Sequence, residues 1–452
     1  MNTLHLTVGM EIHIELKTKT KMFCGCLNDP FHSKPNANIC PICYGLPGSL
    51  PLINKEAVMM TVKLGQALNG QIGQQSFWAR KNYFYPDLPK GYQISQSSLP
   101  VVSGATLTVE GESIRITRIH LEEDAGKLLH GHGQANSSVD FNRAGVPLIE
   151  IVTEPDFDSA ASAKRFCQEL QAIVRHLDLS QADMEKGEMR CEANISVSHG
   201  GEELGTKVEV KNLNSFRSVE RAIQFEFDRQ SQLLGIGEKV IQETRTWDEA
   251  KGDTKSMRTK ETSADYRYFP EPDLPVVEIS TPAKIKTLLP EDRRLRLITS
   301  GVDHHLAVVL VKRGIDELVL AIDRPLVQAA AKLLVAQPNF PALAAEQLSQ
   351  LIGWQKAAGW SKATTAMAAR ELAAGQEPEK VKEQFSSKYD IGKLALAIIA
   401  DNPAAVADYR AGKQSALNFL VGSLLKQTGG KASVEQVRQM LIVLIERMSQ
   451  DD

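Results

Sequence analysis

The sequence has no apolar run approaching the roughly 18 residues that a membrane-spanning helix requires. Its opening Met1-Asn2-Thr3-Leu4 lacks a basic head followed by an apolar core, so no secretory leader is expected. Six cysteines in 452 residues do not suggest a disulfide scaffold. Without an export signal they read as thiols or metal ligands in a reducing, cytoplasmic compartment. Several catalytic signatures are also missing. There is no Gly-x-x-x-x-Gly-Lys-[Ser/Thr] phosphate loop, no Gly-x-Ser-x-Gly elbow, no Ser-Ser-Lys-type amidase pattern and no helical His-Glu-x-x-His. Nucleotide binding, if present, must use a loop of another kind.

What is present is an ordinary globular composition, 42% hydrophobic and 24% charged, with length for two or three domains. The net charge of −3 is unevenly spread. Residues 281–452 carry four more cations than acids, and the first 280 carry seven more acids than cations. A mildly basic tail is compatible with nucleic acid and equally with a solvated helical surface. The patterning changes near residue 280, where Pro282 and Pro290 mark a boundary. Before it, the run from Leu4 to Leu16 alternates as a strand. Leu6, Val8, Met10, Ile12 and Ile14 lie on one face, and Thr7, Gly9, Glu11, His13 and Glu15 on the other. Cys191 to Ser198 alternates likewise. Asp158 to Leu177 has the stripe of a helix through Ala163, Phe166, Cys167, Leu170, Ile173, Val174 and Leu177, making Cys167 and Cys191 inert core residues. After the boundary the chain reads as all-helical from about 293. Asn402-Pro403 opens one helix that Gly412 closes, and Ser433 with Gln436 forms a capping box ahead of Val437, Met440, Leu441 and Leu444. A division near 385 separates two helical parts.

Five constellations can carry chemistry. Cys24-x-Cys26 and Cys40-x-x-Cys43, separated by 13 residues, can place four thiolates around a tetrahedral zinc. With every ligand supplied by the protein, that ion would be structural. Glu11 and His13 share a strand face, and His120-Leu-Glu122-Glu123-Asp124 is a dense acidic cluster. Glu150 lies inside Pro147-Leu-Ile-Glu-Ile-Val152, which otherwise reads as a buried strand. A carboxylate there needs a cation, a donor or a proton. Magnesium meets that need, as would a salt bridge to Arg143 or Arg118. The segment Arg80-Lys-Asn-Tyr-Phe-Tyr-Pro-Asp-Leu-Pro-Lys-Gly-Tyr-Gln-Ile-Ser-Gln96 combines Arg80, Lys81 and Lys90 with four aromatics. It reads either as a nucleotide-binding loop or as a packed structural one. Lys207, Glu209 and Lys211 share a strand face on which the opposite charges can simply pair. Asp265-Tyr-Arg-Tyr-Phe-Pro-Glu271-Pro-Asp273 reads as an extended segment carrying Arg267.

Taken in order, these segments resemble the B-subunit family of the glutamine-dependent aspartyl/glutamyl-tRNA amidotransferase. The resemblance rests on Gly9-Met-Glu-Ile-His13, the cysteine segment ending Cys43-Tyr-Gly-Leu-Pro-Gly-Ser-Leu-Pro51, the Arg80 loop and His120-Leu-Glu-Glu-Asp-Ala-Gly-Lys127. It continues through Val139-Asp-Phe-Asn-Arg-Ala-Gly-Val-Pro-Leu-Ile-Glu150, Met189-Arg-Cys-Glu-Ala-Asn194, Lys211-Asn-Leu-Asn-Ser-Phe, Gln242-Glu-Thr-Arg-Thr-Trp-Asp-Glu249 and Asp265-Tyr-Arg-Tyr-Phe-Pro. The chain has Glu192 where the family usually has Asp, and the match weakens from about Arg293 to Gly375. The resemblance implies an α+β architecture. An antiparallel-sheet-rich cradle over 1–290 is followed by a helical connecting domain over 291–385 and a helical, tRNA-contacting tail over 386–452. It implies a ligase that forms a carbon–nitrogen bond with glutamine as amido donor. ATP phosphorylates the side-chain carboxylate of Glu-tRNA(Gln) or Asp-tRNA(Asn), and ammonia from a glutaminase partner then displaces phosphate. Implied partners are the amidase (A) and small (C) subunits of a heterotrimer and misacylated tRNA. The implied catalytic set is Glu11, His13, Glu122, Glu123 and Glu150, with magnesium on His13, Glu150 and one of the Glu122/Glu123 pair, of which Glu123 is taken as ligand. Arg80, Lys81, Lys90, Lys207 and Lys211 are the expected ATP contacts.

Overall fold

The computed structural model describes residues 4–448 apart from 97, 131–135, 202, 260–265, 281, 284–286, 387–389, 429–431 and 433. The expected α+β class is borne out, with a sheet-rich first part and an all-helical second. By internal contacts the chain divides into Met1–Glu291 and Asp292–Asp452.

The first unit is built on a nine-stranded sheet. Its spatial order is Asp253–Thr259, Glu243–Asp248, Val208–Leu213, Met189–His199, Leu4–Glu15, Pro147–Thr153, Glu112–Glu123, Val102–Val109 and Gln71–Ile72. Neighbours run antiparallel except Val208–Leu213 with Glu243–Asp248, which are parallel and joined by a crossover containing the helix Phe216–Gly235. The alternation of the first strand is realised. Val8, Met10, Ile12 and Ile14 are at most 1% exposed on one face, while Glu11 and His13 project from the other.

Three helices cover the apolar face, each with a side chain that closes its first turn. Asn54 accepts from the amides of Glu56 and Ala57 before Lys55–Ala67. Ser159 accepts from Ser162 before Ala160–His176, and Ser215 from Ser218 before Phe216–Gly235. The expected stripe of the second helix is fully buried, and Cys167 lies 3.9 Å from Cys191 in the core. A small three-stranded sheet, Phe269–Pro270, Ala79–Asn82 and Tyr92–Ser95, stands beside the polar face.

The second unit contains two separate apolar clusters, one spanning Leu297 to Phe385 and one Ala395 to Ile445. Pro403 does open a helix, Pro403–Arg410, but Asn402 does not cap it by its side chain. Its amide donates instead to the carbonyl of Ile398 in the preceding turn, at 2.9 Å. The capping-box residue Ser433 lies outside the described residues. In the helix Val434–Arg447 the buried line is Val437, Leu441 and Ile445, and Met440 is exposed.

Candidate active site and cysteine centre

Strand register assembles the polar face. His13 lies opposite Glu150 on one side, and Glu150 opposite His120 on the other. One step away, Glu11 faces Glu192, and Asn194 faces Glu209. All of these but Asn194 line a cavity of about 590 Å³ that also receives Lys81, Glu122, Arg190 and Lys211, with Tyr83, Tyr266 and Tyr268 among its walls.

His13 Nε2 is 3.5 Å from Glu122 Oε1 and 3.5 Å from Glu150 Oε2, and His120 Nε2 is 3.2 Å from the same Glu150 oxygen. Burial opposes charge on both partners, yet each stabilises the other. Hydrogen bonding to Glu150, with the charges of Glu150, Glu122 and Glu192, pushes His13 up to about 9 against burial. Glu150 lies well below the usual carboxylate range because His120 and His13 outweigh its burial. Neither Arg143 nor Arg118 is its partner. Arg143 donates to the carbonyls of Ala125 and Gly126.

Glu122, not Glu123, joins His13 and Glu150. Their donor atoms lie within 4.8 Å of one another. Successive strand residues point to opposite faces, and Glu123 points away. It is ion-paired with Lys90 and accepts from the amide of Ile94 at 3.0 Å. The geometry thus brings Glu122, and not the expected Glu123, to His13 and Glu150. An octahedral hard cation with bonds of about 2.1 Å has ligand edges of roughly 3.0 Å. The 3.5 Å separations need only a small contraction to reach that, so one imidazole and two carboxylates suit a divalent cation.

The expected ATP contacts divide. Lys81 enters the cavity, half-buried, with Nζ 5.0 Å from the Tyr266 ring. Burial disfavours its charge, but Glu122 and Glu150 raise its pKa and keep it cationic. Arg80, the next residue, faces the other way. It forms a two-pronged pair with Glu271 at 2.7 and 2.8 Å and stacks over Tyr92. Lys90 is committed to Glu123. Neither Arg80 nor Lys90 lines the cavity, and each is paired with a carboxylate outside it. Lys211 does line it, bonding Glu192 at 2.6 Å and Glu209 at 3.2 Å. Lys207 is exposed just before the strand Val208–Leu213 and does not line the cavity. Glu11, Glu192 and Glu209 form a second carboxylate group, offset by Lys211 and by Asn194, which donates to Glu11 at 2.7 Å.

Among the lining residues outside the expected set are His120, Tyr266 and Tyr268. His120 could have been found, since it shares strand parity with Glu122. Tyr266 and Tyr268 could not, because only the pairing of Phe269 with Arg80 brings that distant segment to the cavity. Asp265 lies outside the described residues.

Cys43 Sγ is 3.6 Å from Cys24, 3.7 Å from Cys40 and 3.9 Å from Cys26. Zinc–sulfur bonds of about 2.3 Å give tetrahedral edges of roughly 3.8 Å, so the four sulfurs fit a zinc ion. The Cys24 hydrogen bond, with help from the charge of Lys21, holds the Cys43 thiol down at about 4 against burial. Gly45 terminates the short helix Pro41–Tyr44 at φ 64°, and a Cβ there would fall 2.3 Å from Lys90 Cγ.

The polar face of this sheet thus carries paired histidines, carboxylates and lysines. Residues 6–284 match the family model described as the GatB/GatE catalytic domain, residues 327–445 match the GatB domain, and the chain belongs to this family. It is 42% identical over 467 residues to the B subunit of the aspartyl/glutamyl-tRNA(Asn/Gln) amidotransferase of Moorella thermoacetica, covering 96% of this chain and 98% of that protein. The corresponding protein of Thermus thermophilus is likewise 42% identical over 462 residues, with the same coverage. Among the described residues no helix is long and apolar enough to cross a membrane.

Proposed function

We propose that this chain is the amidating component of a tRNA-dependent amidotransferase, acting in the cytoplasm on Glu-tRNA(Gln), Asp-tRNA(Asn) or both. The observation that carries this reading is the convergence of His13, Glu122 and Glu150 with Lys81 in one cavity. The reaction is the ATP-dependent phosphorylation of the aminoacyl side-chain carboxylate, followed by displacement of phosphate by ammonia. This makes the chain a carbon–nitrogen ligase using glutamine as amido donor. Phosphoryl transfer depends chiefly on positioning and charge neutralisation, and the residues are arranged for both.

His13, Glu122 and Glu150 would hold magnesium, which supplies charge neutralisation at the phosphoryl oxygens when bound. Lys81 offers a cation for the phosphates, and Lys211 a second one restrained by Glu192 and Glu209. His120 fixes the Glu150 carboxylate. Glu11, beside His13, lies where an incoming amine could be relieved of a proton. Tyr266 and Tyr268 add aromatic surface to the same cavity. The four cysteines would bind a structural zinc. An amidase subunit and a small subunit complete the heterotrimer. The functional domains are 1–290, 291–385 and 386–452, with the last contacting tRNA.

The test uses His13→Ala and Glu150→Gln in the assembled complex. Amidation of both misacylated tRNAs falls by roughly 100-fold or more, while glutamine hydrolysis by the partner persists. Full amidation by both variants would overturn the assigned site.

A further inference from the structure

Lys21 is 0% exposed, one of the largest fully buried side chains of the protein. An ammonium withdrawn from water needs a counter-charge and acceptors for its three donors. Among the described residues, Lys21 makes no ion pair with a carboxylate within 4.0 Å. Its Nζ has instead Cys43 Sγ at 3.6 Å and the carbonyl of Phe141 at 3.3 Å. The backbone holds it there from both sides. The Lys21 amide donates to the carbonyl of Cys26 at 3.0 Å, and the Met22 amide to that of Gly145 at 2.7 Å. The lysine therefore stands between the cysteine loop and the turn that leads into the strand of Glu150.

The missing counter-charge is supplied if the four sulfurs are thiolates around a dication. Such a centre carries two net negative charges and is itself costly to desolvate. We propose that Lys21 is the charge-compensating residue of the cysteine centre. Its ammonium donates to the Cys43 thiolate, halves the net charge of the site and anchors the loaded loop to the 141–146 turn. This rests on the zinc reading given above. In the loaded protein the ammonium faces the whole charged centre; in the stripped one it is left with the Cys43 sulfur and the Phe141 carbonyl.

The experiment uses the full-length chain and its Lys21→Met variant, which keeps the stem volume and removes the charge. Zinc retention is measured by competition with a coloured chelator, and the thiolate-to-metal absorption band is recorded after cobalt substitution. The variant is expected to hold zinc roughly 10–100-fold more weakly. Its cobalt band moves to longer wavelength, because a thiolate without its N–H donor gives up charge more easily. After chelation, the variant melts no lower than the stripped wild type, since a single sulfur then replaces the charged centre that offsets the buried ammonium. Lys21→Gln, which keeps a donor but no charge, falls between the two in zinc retention and serves if the methionine variant does not fold. Equal retention with an unshifted band would overturn the role of Lys21 alone. A stripped variant that melts well below the stripped wild type would reduce Lys21 to packing. Wild-type protein that takes up no zinc would remove both the zinc reading and this one.

Discussion

Arg80 and Lys81 are adjacent cations of one short strand, and the structure gives them opposite duties. The Arg80 guanidinium grips Glu271, whose side chain is 0% exposed, while 20% of the Arg80 side chain remains accessible. Arg80→Ala leaves that carboxylate buried without its cation. Breaking a buried pair from one side costs about 3–5 kcal/mol. The accessible face of Arg80 and the retained bond from the Asp273 amide to Glu271 favour the lower figure, about 3 kcal/mol. At roughly 2 °C per kcal/mol for a unit of this size, melting falls by about 6 °C. Lys81→Met breaks no ion pair within 4.0 Å among the described residues. Its melting should stay within about 2 °C of wild type, while amidation in the assembled complex collapses. Scanning calorimetry at one fixed scan rate, paired with an amidation assay, reads both effects. If Arg80→Ala melts like wild type, or Lys81→Met falls as far as Arg80→Ala was expected to, the division between a clamp and a ligand-binding cation is refuted.

Three further outcomes follow from other contacts. Glu122→Gln should weaken Mn²⁺ binding, followed by its paramagnetic resonance, by roughly tenfold or more, because a charged ligand is lost. Glu123→Gln should leave Mn²⁺ binding intact but cost about 3 kcal/mol, since Lys90, 8% exposed at its side chain, loses its anion. Equal loss of Mn²⁺ binding in the two variants would contradict the facing given to them. Ser215→Ala removes the acceptor 3.0 Å from the Ser218 amide. It should cost about 1 kcal/mol, seen as a small melting shift with Mn²⁺ binding unchanged.

Much of this was legible before the structure. The strict alternation of Leu4 to Leu16 identified both the buried face and the face bearing Glu11 and His13. An acid inside Pro147–Val152 demanded a partner, and the site supplies two histidines. The cysteine spacing fixed a cluster that the sulfur distances then support. What was not legible depended on strand phase and on distant pairing. Arg80 and Lys81 are chemically similar, and only the pairing of Lys81 with Gln93, and of Arg80 with Ile94 and Phe269, decides which one faces the cavity. The choice between Glu122 and Glu123 has the same origin. Two partners of Arg143 were hidden because they are the backbone carbonyls of Ala125 and Gly126, which no side-chain pattern announces.

The row His120–Glu150–His13 also bears on how the chain reaches its native state. A slip of one residue in the strand Leu4–Glu15 would turn Glu11 and His13 into the apolar layer and bring Val8, Met10, Ile12 and Ile14 out of it. Mispaired intermediates would then bury ionisable groups without partners, a penalty that an all-apolar centre would not impose. The groups assigned to chemistry thus also proofread strand assembly, so substitutions that neutralise them should broaden the set of trapped folding states even where the finished fold survives.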